Sequence, residues 1–165
     1  MGQKIFQTNA ELTDWLSEKN SSIIFIPTMG GLHPGHQYLI KKANERKTNS
    51  NQITLVSIFV NPLQFSKNED FKKYPRNIYK DAELAFQAGA DAIWAPDYFE
   101  VFPGGENSHF KIQVPYTLQN QLCGKERTGH FDGVATVIIR LIRIIKPEKL
   151  ILGEKDWQQL IIIRK

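Results

Sequence analysis

An α/β fold, an open parallel sheet with helices on both faces, is what this sequence predicts. Short apolar runs alternate with stretches of helical period, the pattern of parallel strands joined by crossover helices. Residues 23–26 form a continuous apolar run, as expected for a strand buried on both faces, and residues 53–60 are again largely apolar and β-branched. The polar motifs fall mainly just after those runs, where the carboxyl ends of parallel strands open onto a ligand crevice.

The elements follow in order. Thr8-Asn9-Ala10-Glu11 reads as a capping box, with Thr8 as N-cap and Glu11 reaching back. Leu12, Trp15 and Leu16 then share one helical face. Residues 23–26 are the first predicted strand, followed by the turn PTMGGLHPGH and a helix through Leu39, Ile40 and Ala43. Residues 53–60 form a second strand that ends at the turn signal Asn61-Pro62. Polar residues 66–74 read as a loop, and Ile78, Ala82 and Ala85 mark a helix that stops at Gly89. Residues 92–95 are a third strand, closed by Pro96. Residues 97–108, rich in Gly and Pro, read as irregular, and 111–114 as a short strand. Leu118 and Leu122 predict a helical turn or two before Gly124. Val134, Val137, Ile138, Leu141 and Ile145 give a mostly buried helix. Residues 150–152 are a further strand, and 153–156 lead into a last helix. Right-handed crossovers between such strands give a Rossmann-like sheet.

The 165 residues fit one domain. At 41% hydrophobic and 23% charged, the composition is that of a globule rather than a disordered chain. The net charge of +4 comes from scattered Lys and Arg, and pairs such as Lys41–Lys42 and Lys72–Lys73 read as solvated faces. A mild positive field suits an anionic substrate and does not specify nucleic acid. The single cysteine, Cys123, allows no disulfide framework, so a cytoplasmic location is expected. The N-terminus lacks the basic-then-apolar pattern of a signal peptide. No apolar run approaches the ~20 residues of a membrane span, and the longest, 134–145, is interrupted by Arg140 and Arg143.

The stretch from Pro27 to His36 carries the most chemistry. Gly30 and Gly31 let the backbone turn sharply, and Pro34 suits the first turn of a helix. His33 and His36, three residues apart at that helix start, can face the same way. The helix N-terminus adds free N–H groups, which makes a cradle for phosphates. Zinc ligation would need more ligands than this pair offers. Neither G-x-x-x-x-G-K-[ST] nor G-x-G-x-x-G is present, so a nucleotide would rely on the histidines. The second group, Gly153 to Gln159, offers close approach at Gly153 and a point charge at Lys155. Asp156 there reads as either a helix cap or a site residue. The third is Asn61-Pro62-Leu63-Gln64-Phe65, with Gln64 offering donors and an acceptor. The fourth, Arg127 to Gly133, is either a site loop or a surface loop with a helix cap at Asp132.

PTMGGLHPGH resembles the H-x-G-H box of the nucleotidyltransferase superfamily, which also includes class I aminoacyl-tRNA synthetases. SIFVNPLQF, the YPR of Tyr74 to Arg76, RTGHFDGVATV and LGEKDWQQL, in this order, resemble the pantothenate synthetase family. The resemblance runs from about residue 23 to the last. It implies an ATP site at Pro27, Thr28, Met29, Gly30, Gly31, Leu32, His33 and His36. Gly153, Glu154, Lys155 and Asp156 would form its other side. It implies His36 as the catalytic proton donor, with His33 and Lys155 acting on the phosphates. Gln64 would hold pantoate and β-alanine, and Gln159 pantoate, with Asn61, Tyr74 and His130 also in the substrate site. Asp81 would be associated with Mg²⁺. The implied reaction joins pantoate to β-alanine through a pantoyl adenylate, releasing pyrophosphate and then AMP. Membrane and nucleic acid are not implied partners.

The chain departs from the family pattern at Gly31, where alanine is common, at Thr128, where proline is common, and at Lys80, where some members have a second acidic residue. Members continue for roughly another small domain, bearing a Ser-Arg motif that closes over the phosphates. The expectation is therefore an N-terminal ATP- and pantoate-binding portion, 1–165, of a longer enzyme, inactive or weakly active by itself. The family is commonly homodimeric, and some members carry a fused kinase domain. Two rival readings remain at this point: another nucleotidyltransferase sharing only the histidine box, such as a cytidylyl- or adenylyltransferase, and a non-catalytic nucleotide-binding or dimerisation module.

Overall fold

A computed structural model describes residues 3–65, 71–105 and 108–165. Among these, one sheet contains β1 (Lys4–Phe6), β2 (Ser22–Thr28), β3 (Gln52–Ile58), β4 (Ala92–Trp94) and β5 (Lys149–Leu150). Its order is β1-β4-β3-β2-β5, and every pairing is parallel. From β2 the chain steps outward through β3 to β4, then returns to place β5 on the other side of β2. The strand order therefore reverses between β2 and β5, and open α/β sheets hold ligands at such a switch point.

Helices α1 (Asn9–Lys19), α2 (Pro34–Glu45), α3 (Ile78–Gln87), α4 (Tyr98–Val101), α5 (Tyr116–Gln119), α6 (His130–Ile145) and α7 (Trp157–Arg164) complete the fold. Thr8 caps α1 in the expected box with Glu11. The continuous apolar runs make sense through the pleat, which sends successive side chains to opposite faces. Ile23, Phe25, Ile53 and Leu55 pack with Leu12 and Trp15 of α1 and with Val134, Val137, Ile138 and Leu141 of α6. Ile24, Ile26, Val56 and Ile58 pack on the other face with Ile40 and Ala43 of α2 and Ala82 and Ala85 of α3. Truncating any one of the large members to alanine would cost about 2–5 kcal/mol.

Several local expectations are corrected. β1 was not foreseen, because Lys4 and Ile5 are exposed and only Phe6, packed 5.2 Å from the Trp15 ring, is buried. Residues 97–108 are not wholly irregular: Asp97 accepts the N–H groups of Phe99 and Glu100 and starts α4, which leads into the fully buried Phe102. Residues 111–114 are not a strand. Ile112 N donates to Thr136 Oγ1 at 2.8 Å and Val114 N to Asp132 Oδ1 at 2.7 Å, so side chains of α6 take the place of a ladder. Asp132 is consequently not a cap; α6 starts at His130 behind Gly129. β3 ends at Ile58 rather than at residue 60, and β5 covers 149–150 rather than 150–152, although Ile151 N still donates to Phe25 O. Of the expected loop 66–74, residues 66–70 lie outside the described residues, as do 106–107 of the segment before α5, and Phe71–Lys73 forms one 3₁₀ turn. No helix of the described residues is long and apolar enough to cross a membrane.

Candidate functional site

The turn after β2 is held from below. Thr28 Oγ1 donates to Ser57 O at 2.7 Å and accepts from Gly30 N at 3.2 Å. Gly30 and Gly31 both have positive φ, +85° and +62°. Asp81, on α3, places Oδ2 at 2.9 Å from Gly31 N and Oδ1 at 2.8 Å from Leu32 N. A Cβ at residue 30 would lie 2.8 Å from Oδ2, so only glycine there lets the carboxylate reach the turn. Asp81 is 4% exposed and both its oxygens hold backbone N–H groups. The carboxylate expected to be associated with Mg²⁺ thus acts as a clamp on the turn. Tyr74, expected in the substrate site, sits beside the same turn, its hydroxyl 3.4 Å from Gly30 O. Burial, then Asp81 and Asp156, raises its pKa.

His33 and His36 cap α2 with their rings. His33 Nδ1 accepts from Gly35 N at 3.1 Å, and His36 Nδ1 accepts from His33 N at 3.4 Å. This is the reciprocal logic of a capping box, performed by imidazoles. A Cβ at Gly35 would lie 2.8 Å from His33 Cε1, which explains the glycine between the histidines. The two rings sit 4.1 Å apart at 45°. With both Nδ1 atoms accepting, the proton of each neutral ring is on Nε2, leaving two Nε2–H donors. Burial lowers the His36 pKa, and the charges of His33 and Lys155 lower it further against the opposing pull of Asp156 and Asp81. His36 is therefore mostly neutral near pH 7, with its proton on Nε2.

Across the switch point, Gly153 leads out of β5 into a 3₁₀ turn, Glu154–Asp156. Lys155 is exposed, with Nζ 3.5 Å from Asp156 Oδ1. Asp156 stands at the N-cap position of α7 but makes no capping hydrogen bond, so its carboxylate is not spent on the helix. Met29, His33, His36, Lys155, Gln64 and Gln159 line one open cleft of about 1620 Å³. Pro27, Thr28, Gly30, Gly31, Gly153, Glu154 and Asp156 border it too, whereas Leu32 is turned into the core beneath α2. The sequence motifs thus converge from two adjacent strands.

On the far wall, Pro62–Gln64 forms a 3₁₀ turn capped by Asn61. Asn61 is 1% exposed, and its amide donates to Gln64 Oε1 and to Gly133 O, both at 3.1 Å. Asn61 therefore supports the Gln64 side chain through its Oε1. His130 also lines the cleft, but its ring nitrogens contact Gln64 O and Arg127 Nη1. Gln159 faces the cleft from the first turn of α7. Gln158 was not foreseen. It is buried, its Oε1 accepts from Gly124 N and the Cys123 thiol, and its Nε2 donates to Leu118 O and Gln119 O. It ties α7 to the loop before α6. The sign of it in the sequence was Ile162, four residues on and buried on the same helix face.

With this geometry in view, the comparisons with known proteins are specific. The family described as Pantoate-beta-alanine ligase matches residues 4–165. A bifunctional pantoate ligase/cytidylate kinase of Prochlorococcus marinus (strain NATL1A) is 86% identical over 165 residues, which is 100% of this chain and 32% of the relative. A protein of the same description from Synechococcus sp. (strain CC9311) is 56% identical over 141 residues, 86% of this chain and 28% of the relative. The chain spans about a third of the length of these curated relatives. Among solved structures, pantothenate synthetase from Thermus thermophilus superposes with a TM-score of 0.87 at 39% identity, covering 98% of this chain and 55% of that one. Pantoate-beta-alanine ligase from Francisella tularensis, complexed with beta-gamma ATP and beta-alanine, gives 0.88 at 36% identity, covering 99% and 61%.

Proposed function

The chain belongs to the pantoate–β-alanine ligase family, and from that premise we propose that it forms the nucleotide and pantoate site of an enzyme that condenses pantoate with β-alanine at the expense of ATP. The observation that carries the reading is the meeting of His33, His36 and Lys155 in one cleft at the β2–β5 switch point. Membership in this family sets aside the rival nucleotidyltransferase reading.

The proposed reaction has two steps. A pantoate carboxylate oxygen attacks the α-phosphorus of ATP, the bond to the β-phosphate oxygen breaks, and pyrophosphate leaves. The amine of β-alanine then attacks the acyl carbon of the adenylate, and AMP departs with the bonding pair. Neither step needs a protein nucleophile; both need positioning and charge stabilisation. The Nε2–H groups of His33 and His36 supply donors where phosphate oxygens gain charge. Lys155 offsets the same charge, and the positive end of the α2 dipole adds to it, although the first N–H groups of that helix are already taken by His33 and His36. Each well-placed donor in such a site is worth roughly 10²–10³ in rate. Gln64 and Gln159 are the proposed contacts for pantoate, Gln64 also for β-alanine, with Asn61, Tyr74 and His130 holding the surrounding wall.

Among the described residues no group of three or more His, Cys, Asp and Glu could hold a metal ion, and Asp81 is buried with both oxygens in use. The described residues thus do not fit a resident Mg²⁺. The ion is assigned to the substrate, bound to the phosphates as MgATP. A cytoplasmic location and a homodimer are proposed with the function. Phe110, Ile112 and Ile139 offer exposed apolar side chains that a second copy would cover.

The test is product analysis with the full-length enzyme. Pyrophosphate release should require pantoate, and AMP should appear with an amide only when β-alanine is added. Pyrophosphate release that is independent of pantoate contradicts the proposal.

A further inference from the structure

His130 has both ring nitrogens committed inside the protein. Nδ1 lies 2.7 Å from the carbonyl oxygen of Gln64, and Nε2 lies 2.9 Å from Nη1 of Arg127. A carbonyl only accepts, and a guanidinium only donates. Nδ1 must therefore carry the proton and Nε2 must be bare. The ring is neutral and of the opposite tautomer to His33 and His36, whose Nδ1 atoms accept.

The surroundings fix this ring tightly. It is 6% exposed at the first residue of α6. A Cβ on Gly133, one turn along, would lie 2.1 Å from Leu63 O, so the 61–64 turn is seated on the helix backbone. Asn61 ties the same turn to Gly133 O. His130 sits between the two groups that matter: Gln64 on the turn and Arg127 on the preceding loop, both lining the cleft.

We propose that His130 is a positioning residue, a neutral Nδ1–H imidazole that locks the Gln64 backbone and the Arg127 guanidinium into one geometry at the pantoate wall of the cleft. It does not touch substrate; it acts through its two partners. This rests on the reading of Gln64 as a pantoate contact.

The test combines spectroscopy and kinetics on the full-length enzyme. ¹⁵N-histidine NMR of the wild type should show His130 protonated on Nδ1, and His33 and His36 on Nε2. A proton on His130 Nε2 overturns the proposal. His130→Asn keeps an N–H near the Nδ1 position and loses the acceptor for Arg127; His130→Gln keeps an acceptor near the Nε2 position and loses the donor to Gln64. His130→Ala should raise the KM for pantoate roughly tenfold, with the KM for ATP within about twofold of wild type, and each amide variant should recover part of the loss. Equal rises for both substrates, or an unchanged KM for pantoate, overturn it. If the alanine variant does not fold, the Asn and Gln variants give the same split. A wild type without pantoate-dependent pyrophosphate release would refute the functional reading instead, and the tautomer spectrum would still decide the geometry of His130.

Discussion

Replacing Asp81 with asparagine changes one acceptor oxygen into an N–H donor while keeping the side chain's shape. In the native turn both oxygens accept, from Gly31 N at 2.9 Å and Leu32 N at 2.8 Å. The variant can keep one of these bonds; at the other, two donors face each other in a site only 4% exposed. A hydrogen bond to a charged group contributes about 1.5–3 kcal/mol, and a buried donor left unmatched costs about 1–3 more. Partial relaxation leaves an expected loss of about 2–4 kcal/mol. At about 2–4 °C per kcal/mol for a domain of this size, Tm should fall by about 4–16 °C. The assay is thermal unfolding followed by circular dichroism, run in EDTA and again in Mg²⁺. The clamp requires the full drop in EDTA and no change with Mg²⁺. A variant that melts within about 1 °C of wild type in EDTA, or that differs from it only when Mg²⁺ is present, would refute the clamp and restore the metal role.

Two further outcomes concern His36. Its folded pKa lies below 6.5, chiefly through burial, so between that value and 6.5 the unfolded chain binds more protons than the native one. Without nucleotide, stability should therefore decline as the pH falls from about 6.5 through the folded value, and a His36→Ala variant should lose that part of the slope in a melting series. In the full-length enzyme His36→Ala should slow adenylate formation by roughly 10²–10³. Its Tm should fall only by the few degrees of a lost cap, about 1 kcal/mol. Pyrophosphate release near the wild-type rate would show that His36 is not the donor.

The layered fold was legible because its instructions are local. Residues 23–26 and 53–58 could bury apolar side chains on two faces only as central parallel strands. Thr8 and Glu11 announced a helix start in four residues. The turn from Pro27 to His36 was legible for the same reason, since its glycines, proline and histidines act within one turn of chain. What escaped depends on distant partners. The Asp81 clamp reaches across 50 residues to Gly31, and His130 reaches 66 residues to Gln64. Nothing in the local pattern around either residue distinguishes a clamp from a ligand contact. Residues 111–114 have strand-like composition, but Thr136 and Asp132 take their N–H groups. β1 was too short, with too little buried side chain, to announce itself.

The most direct test of the shared cleft is titration of a non-hydrolysable ATP analogue into ¹⁵N-labelled protein. The Nε2 resonances of His33 and His36 and the Nζ resonance of Lys155 would be followed together. They should shift along one binding curve, with His130 moving little. If the nucleotide binds and perturbs only the histidines, or only Lys155, the two strand ends do not serve one triphosphate.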